Sequence, residues 1–199
     1  MPVPYRDALQ EAEARGVAAF LRVLPDSGEG RYLGALFLVN ALGEPVEFTY
    51  NRIEVLQRFL WRRDGLRRHA ARRLTASLLE ICPRAPDLMF CLADEVEPEL
   101  FAEELEVSIP VARIAKGLAV VGQAGTEERE LLEADEPLQL FWQGRQPEAG
   151  SPERLLVERL ASRGLLLEPF DRAGVGLDEV YGSTKGDERG EDTGGDVVG

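Results

Sequence analysis

The sequence predicts an α/β (α+β) fold, an N-terminal three-stranded antiparallel meander followed by helices alternating with strands on a mixed sheet. Three observations predict it. Strand-like runs over 17–24, 32–40 and 46–50 are separated only by the turn clusters PDSGEG and ALGEP, the signature of consecutive hairpins. Leu66, Ala70, Leu74, Leu78 and Ile81 then recur at helical spacing, which makes one apolar stripe. After that helix, short apolar runs bounded by Pro and Gly alternate with helix-start signals. The chain has 199 residues, 44% of them apolar, enough for a core without disulfides or metal.

The elements follow in order. YRDALQEAEAR over 5–15 reads as a short amphipathic helix closed by Gly16, since glycine accepts the left-handed geometry just past a helix end. In the third strand Val46, Phe48 and Tyr50 alternate with Glu47 and Thr49, so one face meets a core and the other meets water. Pro83 stops the 66–81 helix. Residues 87–93, DLMFCLA, form a short buried strand, and Pro98 opens a short helix to about Glu104. Strand-like pieces cover 105–114 and 118–121, the acidic stretch 126–134 reads as helix, and 137–142 as extended chain. Ser151-Pro152-Glu153 is the clearest helix start, with an N-cap, a proline at the first position and an acid at the positive dipole end. That helix runs to Arg163. Residues 165–170 are expected as the last strand, with a short helical piece up to Tyr181. One compact domain is therefore expected over 1–181. Residues 182–199 hold six glycines and five acids, too little apolar mass to offset chain entropy, so a disordered acidic tail is expected there.

Composition narrows the setting. No run approaches the roughly 20 apolar residues that span a bilayer, and the N-terminus lacks the apolar stretch of a signal peptide. A cytoplasmic protein with no membrane partner is expected. Cys82 and Cys91 are the only cysteines and read as buried thiols. The net charge is −13, which repels nucleic-acid phosphate unless a local basic patch overrides the field. All basic residues but Lys116 and Lys185 are arginine, as a GC-rich coding sequence favours.

Most motifs with a specific chemistry are absent. Gly28, Gly30 and Gly34 lie between two strands, where a hairpin turn explains them better than a dinucleotide loop opening a helix. No G-K-[ST] occurs, which removes a P-loop. His69 is the one histidine; in RRHAARR its charged neighbours disfavour protonation, and it reads as a surface residue. Seven acids fall between Asp94 and Glu106 with no base among them, the pattern of a solvated face. Glu44 and Glu47 flank Pro45, but spacing alone brings no carboxylates from different elements together. No catalytic residue, metal ligand or cofactor is assigned.

The order of elements over 17–170 resembles the ribonuclease H-like arrangement. That resemblance implies two-metal nuclease chemistry, with carboxylates that include one projecting from the middle of the first strand. The first strand here, VAAFLRVL, has no acid. The restriction-type alternative needs an acid two residues before a strand lysine, yet Ile114 precedes Lys116 and Ser183 precedes Lys185 at that distance.

One feature is left: charge segregation. Arg52, Arg58, Arg62, Arg63, Arg67, Arg68, Arg72 and Arg73 face only Glu54 and Asp64, a local charge of +6 interleaved with Phe59 and Trp61. Arg68 and Arg72 are four apart on the helix and share a face, expected to lie opposite the apolar stripe. Arg62, Arg63, Arg68, Arg72, Arg73 and Trp61 are the candidate binding residues. Arg/Trp clusters suit protein hot spots and phosphate alike, and the arginines could instead pair with the 94–106 acids. The expectation from sequence is a non-catalytic interaction protein, an adaptor or accessory subunit with a protein partner. The alternatives are a nucleic-acid-associated accessory factor using the same arginines on phosphate, and a metal-dependent hydrolase with unassigned carboxylates.

Overall fold

The structure is a computed structural model that describes residues 15–26, 30–117, 121–132 and 137–182. The helix expected over 5–15, apart from Arg15, and the tail expected over 182–199, apart from Gly182, lie outside these residues, as does Gly28.

Seven strands form one mixed sheet in the order β3-β2-β1-β4-β5-β7-β6. β1 (Val17–Pro25), β2 (Arg31–Asn40) and β3 (Pro45–Glu54) are the expected meander. β1 pairs antiparallel with β2 and β2 with β3. Gly30 takes φ +80 beside the first turn, and Asn40 closes the second by accepting the Leu42 and Glu44 N–H groups on its Oδ1. Chain reversals of this kind favour Gly and Asn.

Helix α1 (Arg63–Ile81) crosses the sheet and delivers β4 (Leu88–Leu92) parallel to β1. β5 (Val111–Lys116) adds parallel to β4, and β7 (Leu138–Gln143) and β6 (Glu127–Leu132) complete the sheet with antiparallel pairs. α2 (Pro152–Ser162) and α3 (Glu168–Gly182) follow. Ser151 caps α2 by accepting the Arg154 N–H at 3.1 Å, as the Ser-Pro-Glu signal predicts.

The alternation of side chains along β1 divides the core into two layers. Ala18 and Phe20 join Phe90, Trp142, Phe170 and Leu177 on the face covered by α2 and α3. Val17, Ala19, Leu21 and Val23 join Leu74, Leu78, Met89 and Leu100 on the face covered by α1. Both central strands are buried on both faces, which is why they read as continuous apolar runs. Among the described residues, no helix is long and apolar enough to cross a membrane.

Several expectations are corrected. Residues 127–132 form strand β6 and no helix. All six pair with β7, from Glu127↔Gln143 to Leu132↔Leu138, so an open sheet edge overrides the helix preference of Glu, Arg and Leu. Residues 165–170 are not a strand: a turn leads into α3 at Glu168. Leu166, Phe170, Ala173 and Leu177 are buried at helical spacing, and short apolar runs do not by themselves distinguish the two states. Strand β5 begins only at Val111, after Pro110, so 105–110 is irregular. The piece after Pro98 is a π-helical turn over Leu100–Glu104. Of 118–121 only Val121 is described, and it lies in no strand.

Candidate functional site

Two places concentrate charge. The first is the edge where the C-terminal half of β1 meets the segment leaving β4. Arg22 is the one charged residue of β1 and points to the α2–α3 side. Its Nη2 lies 2.7 Å from Glu95 Oε1, and its Nη1 donates to the Phe170 carbonyl at 2.7 Å. Glu95 Oε2 accepts the Val23 N–H at 3.0 Å. Both carboxylate oxygens are therefore engaged, and the guanidinium ties β1 to α3 and to the turn after β4. Burial pushes the Glu95 carboxyl above its ordinary value, while the Val23 N–H and Arg22 pull it back down.

A second clasp stands close by. Arg113 on β5 is fully buried and meets Glu127 of β6 at 2.7 Å. It also donates to the carbonyls of Val96 at 3.2 Å and Gly122 at 2.6 Å. Glu127 further accepts the Ala124 N–H at 2.9 Å. Each charge is matched by several hydrogen bonds, the condition for a buried ion pair to be tolerated. Sequence reasoning missed both clasps. The available signal was a single arginine inside each apolar strand, VAAFLRVL and VARIA.

The other place is the segment 52–73. After β3, Gln57 adopts φ 54, left-handed geometry that is uncommon for a residue with a side chain. The chain on either side of it carries Leu56, Phe59, Leu60 and Trp61 out into solvent, exposed by 76%, 81%, 68% and 42%. Trp61 stacks on His69 with ring centroids 4.6 Å apart, leaving its outer surface open. Arg62 is the N-cap of α1 and Arg63 its first residue. Arg62, Arg72 and Arg73 are exposed.

Arg68 behaves differently from the expectation that its head points away from the body. Its Nε lies 3.3 Å from Glu97 and 3.8 Å from Glu104, and these acids raise its pKa further. Arg67 donates to the Asp94 carbonyl. The helix thus brings Arg67 and Arg68 against the 94–106 stretch, Arg67 on a backbone carbonyl and Arg68 on two carboxylates, while Arg72 and Arg73 remain turned to water. Glu44 is held by the Asn40 amide at 2.7 Å within the β2–β3 turn.

No family model matches the chain, and no curated protein matches it in sequence. Solved structures do match it in fold. Endonuclease V from Streptomyces avermitilis superposes with a TM-score of 0.53 at 12% identity, over 85% of this chain and 84% of that one. Endonuclease V from Bacillus subtilis gives 0.51 at 14% identity, over 86% and 82%. The fold is ribonuclease H-like, as the element order implies.

That likeness corrects the expected function. The composition of the Arg/Trp segment points to a non-catalytic adaptor, but the architecture is shared with nucleases. The same composition serves phosphate as well as protein, so it could not make the distinction.

The fold family implies metal ions held by carboxylates, including one on the first strand. The residues at that edge do not fit them. The charged residue of β1 is Arg22, and Glu95, the acid beside it, has both oxygens occupied by N–H donors. Among the described residues, no group of three or more His, Cys, Asp and Glu is arranged to hold a metal.

Proposed function

We propose that this chain binds nucleic acid, single-stranded for preference, through the segment 52–73. Phosphates are taken by Arg62, Arg72 and Arg73, and unstacked bases by Phe59 and Trp61. The observation that supports this reading is the conjunction of solvent-exposed aromatic rings with arginines that remain turned to water. Stacking platforms beside positive charge suit single strands, because every base has a π-face and duplex bases are already stacked. The local charge of +6 supplies attraction that the net −13 opposes elsewhere. A cytoplasmic setting agrees with free thiols at Cys82 and Cys91.

Fluorescence anisotropy with labelled oligonucleotides tests the reading. Arg72→Ala/Arg73→Ala should weaken binding and flatten its log–log salt dependence by about 0.7–0.9 per lost phosphate contact. Phe59→Ala should cost about 1–3 kcal/mol on a single strand, as one stacked base does, and much less on a duplex. Arg68→Ala is the internal control: its head is committed to Glu97 and Glu104, so it should alter affinity least. An unchanged affinity and salt slope in the Arg72/Arg73 variant would overturn the assignment.

A further inference from the structure

We infer that Arg22 is the resident cation of the β1–β4 edge, a guanidinium standing where a ribonuclease H-like fold would seat a carboxylate-bound metal. This does not depend on the nucleic-acid reading. It rests on how the two terminal nitrogens of the guanidinium are held, while its buried Nε has no hydrogen-bond partner among the described residues. Nη2 is paired with Glu95, Nη1 with the Phe170 carbonyl, and the partner carboxylate is pinned from its other oxygen by the Val23 N–H. Three separate parts of the fold, β1, the turn after β4 and the start of α3, converge on one fixed positive charge.

Arginine suits this role better than lysine would. Its planar fork reaches a carboxylate and a carbonyl at once, and it stays charged at every accessible pH. A divalent ion arriving at Glu95 would have to displace a cation already bonded on both sides. It would also have to take a carboxylate oxygen from a backbone N–H.

Exchange of one cation for another provides the test. Mn²⁺ uptake by electron paramagnetic resonance and the melting temperature are read together, on the full chain. Four proteins are compared: the wild type, Glu95→Gln, Arg22→Asp and Arg22→Asp/Glu95→Gln. The many other acids bind Mn²⁺ weakly, so the differences between proteins are what count. Wild type and Glu95→Gln should take up the same amount of Mn²⁺. Arg22→Asp places a second carboxylate beside Glu95 in place of the guanidinium. It should melt lower without metal, take up Mn²⁺ beyond the wild type, and rise by about 3 °C or more in saturating Mn²⁺. The double variant should lose that gain.

Two results would overturn the inference. One is Mn²⁺ uptake by the wild type that disappears in Glu95→Gln, for then the carboxylate is open to metal with Arg22 present. The other is a folded Arg22→Asp that takes up no more Mn²⁺ than the wild type, for then the edge is not a seat for cations. Should Arg22→Asp fail to fold, Arg22→Asn removes the charge without adding another, and it should show the same Glu95-dependent gain more weakly.

Discussion

Cys82 and Cys91 show how much environment decides the behaviour of one residue type. Cys91 is the fourth of the five residues of β4 and has no exposed surface. Its burial pushes the thiol well above its ordinary value of 9.0, and the Arg113 charge offsets only part of that. Cys82 ends α1, is half-buried, and lines a shallow cleft with Arg84, Pro86 and Ile109. Since the thiolate is the reacting species, iodoacetamide at pH 8 should label Cys82 in the native protein and spare Cys91 until denaturant is added. Peptide mass spectrometry reads this directly, and native labelling of Cys91 would show that β4 opens. The sign of the pH effect follows from the same cause. A thiol whose folded pKa is raised contributes fully below the unfolded value and less as pH rises past it. Stability should therefore fall above about pH 9.0, and Cys91→Ala should remove that part of the alkaline slope. The sequence makes both cysteines look alike, two thiols among apolar neighbours. Only the sheet places one in its centre and the other at a helix end.

At the scale of elements, α1 and β2 meet through a missing side chain. Gly34 lies in the middle of β2 and faces α1. A Cβ there would come within 3.1 Å of Leu78 and 3.2 Å of Leu74. Both leucines are fully buried, so Leu78→Ala should cost on the order of 2–5 kcal/mol through lost burial and a residual cavity. Gly34→Ala should cost about 1–3 kcal/mol by overpacking the same contact. Because the two changes act on one space, the double variant should be more stable than the sum of the single costs implies. Urea unfolding of the four proteins checks this, and strict additivity would show that α1 does not seat on Gly34. The apolar stripe of α1 is legible from sequence because helical period and burial agree. β6 is not, because its preference and its position conflict. Glu130 there is drawn in by Arg154 of α2 at 2.7 Å and by the Trp142 indole at 2.8 Å, partners that no local window contains. The start of α3 is legible only afterwards, once Glu168-Pro169 is given more weight than the apolar run around it.

For the whole molecule, the order of elements carries more than any motif does. Three hairpin-linked strands, a helix and a parallel return are enough to specify the ribonuclease H-like sheet, although no residue pattern marks its chemistry. The candidate segment is equally visible as a charge imbalance. Its division into inward arginines and outward ones is not, because that depends on where the 94–106 stretch folds back against α1. The two core layers lead to a final expectation. β1 and β4 supply side chains to both, residue by residue in alternation. Neither face can unpack without stripping the strands the other depends on, so unfolding should be a single cooperative event. The two tryptophans allow this to be seen. Trp142 is fully buried, while Trp61 is partly exposed and stacked on His69. In a Trp61→Phe variant, fluorescence reports Trp142 alone, at the β7 end of the sheet. Far-UV circular dichroism reports mainly α1, α2 and α3. The two urea curves should share a midpoint and a slope, since the slope follows the surface exposed in one step. A Trp142 transition at lower urea than the helical one would mean that the β5-β7-β6 half of the sheet separates first, and that the shared strands do not couple the two layers.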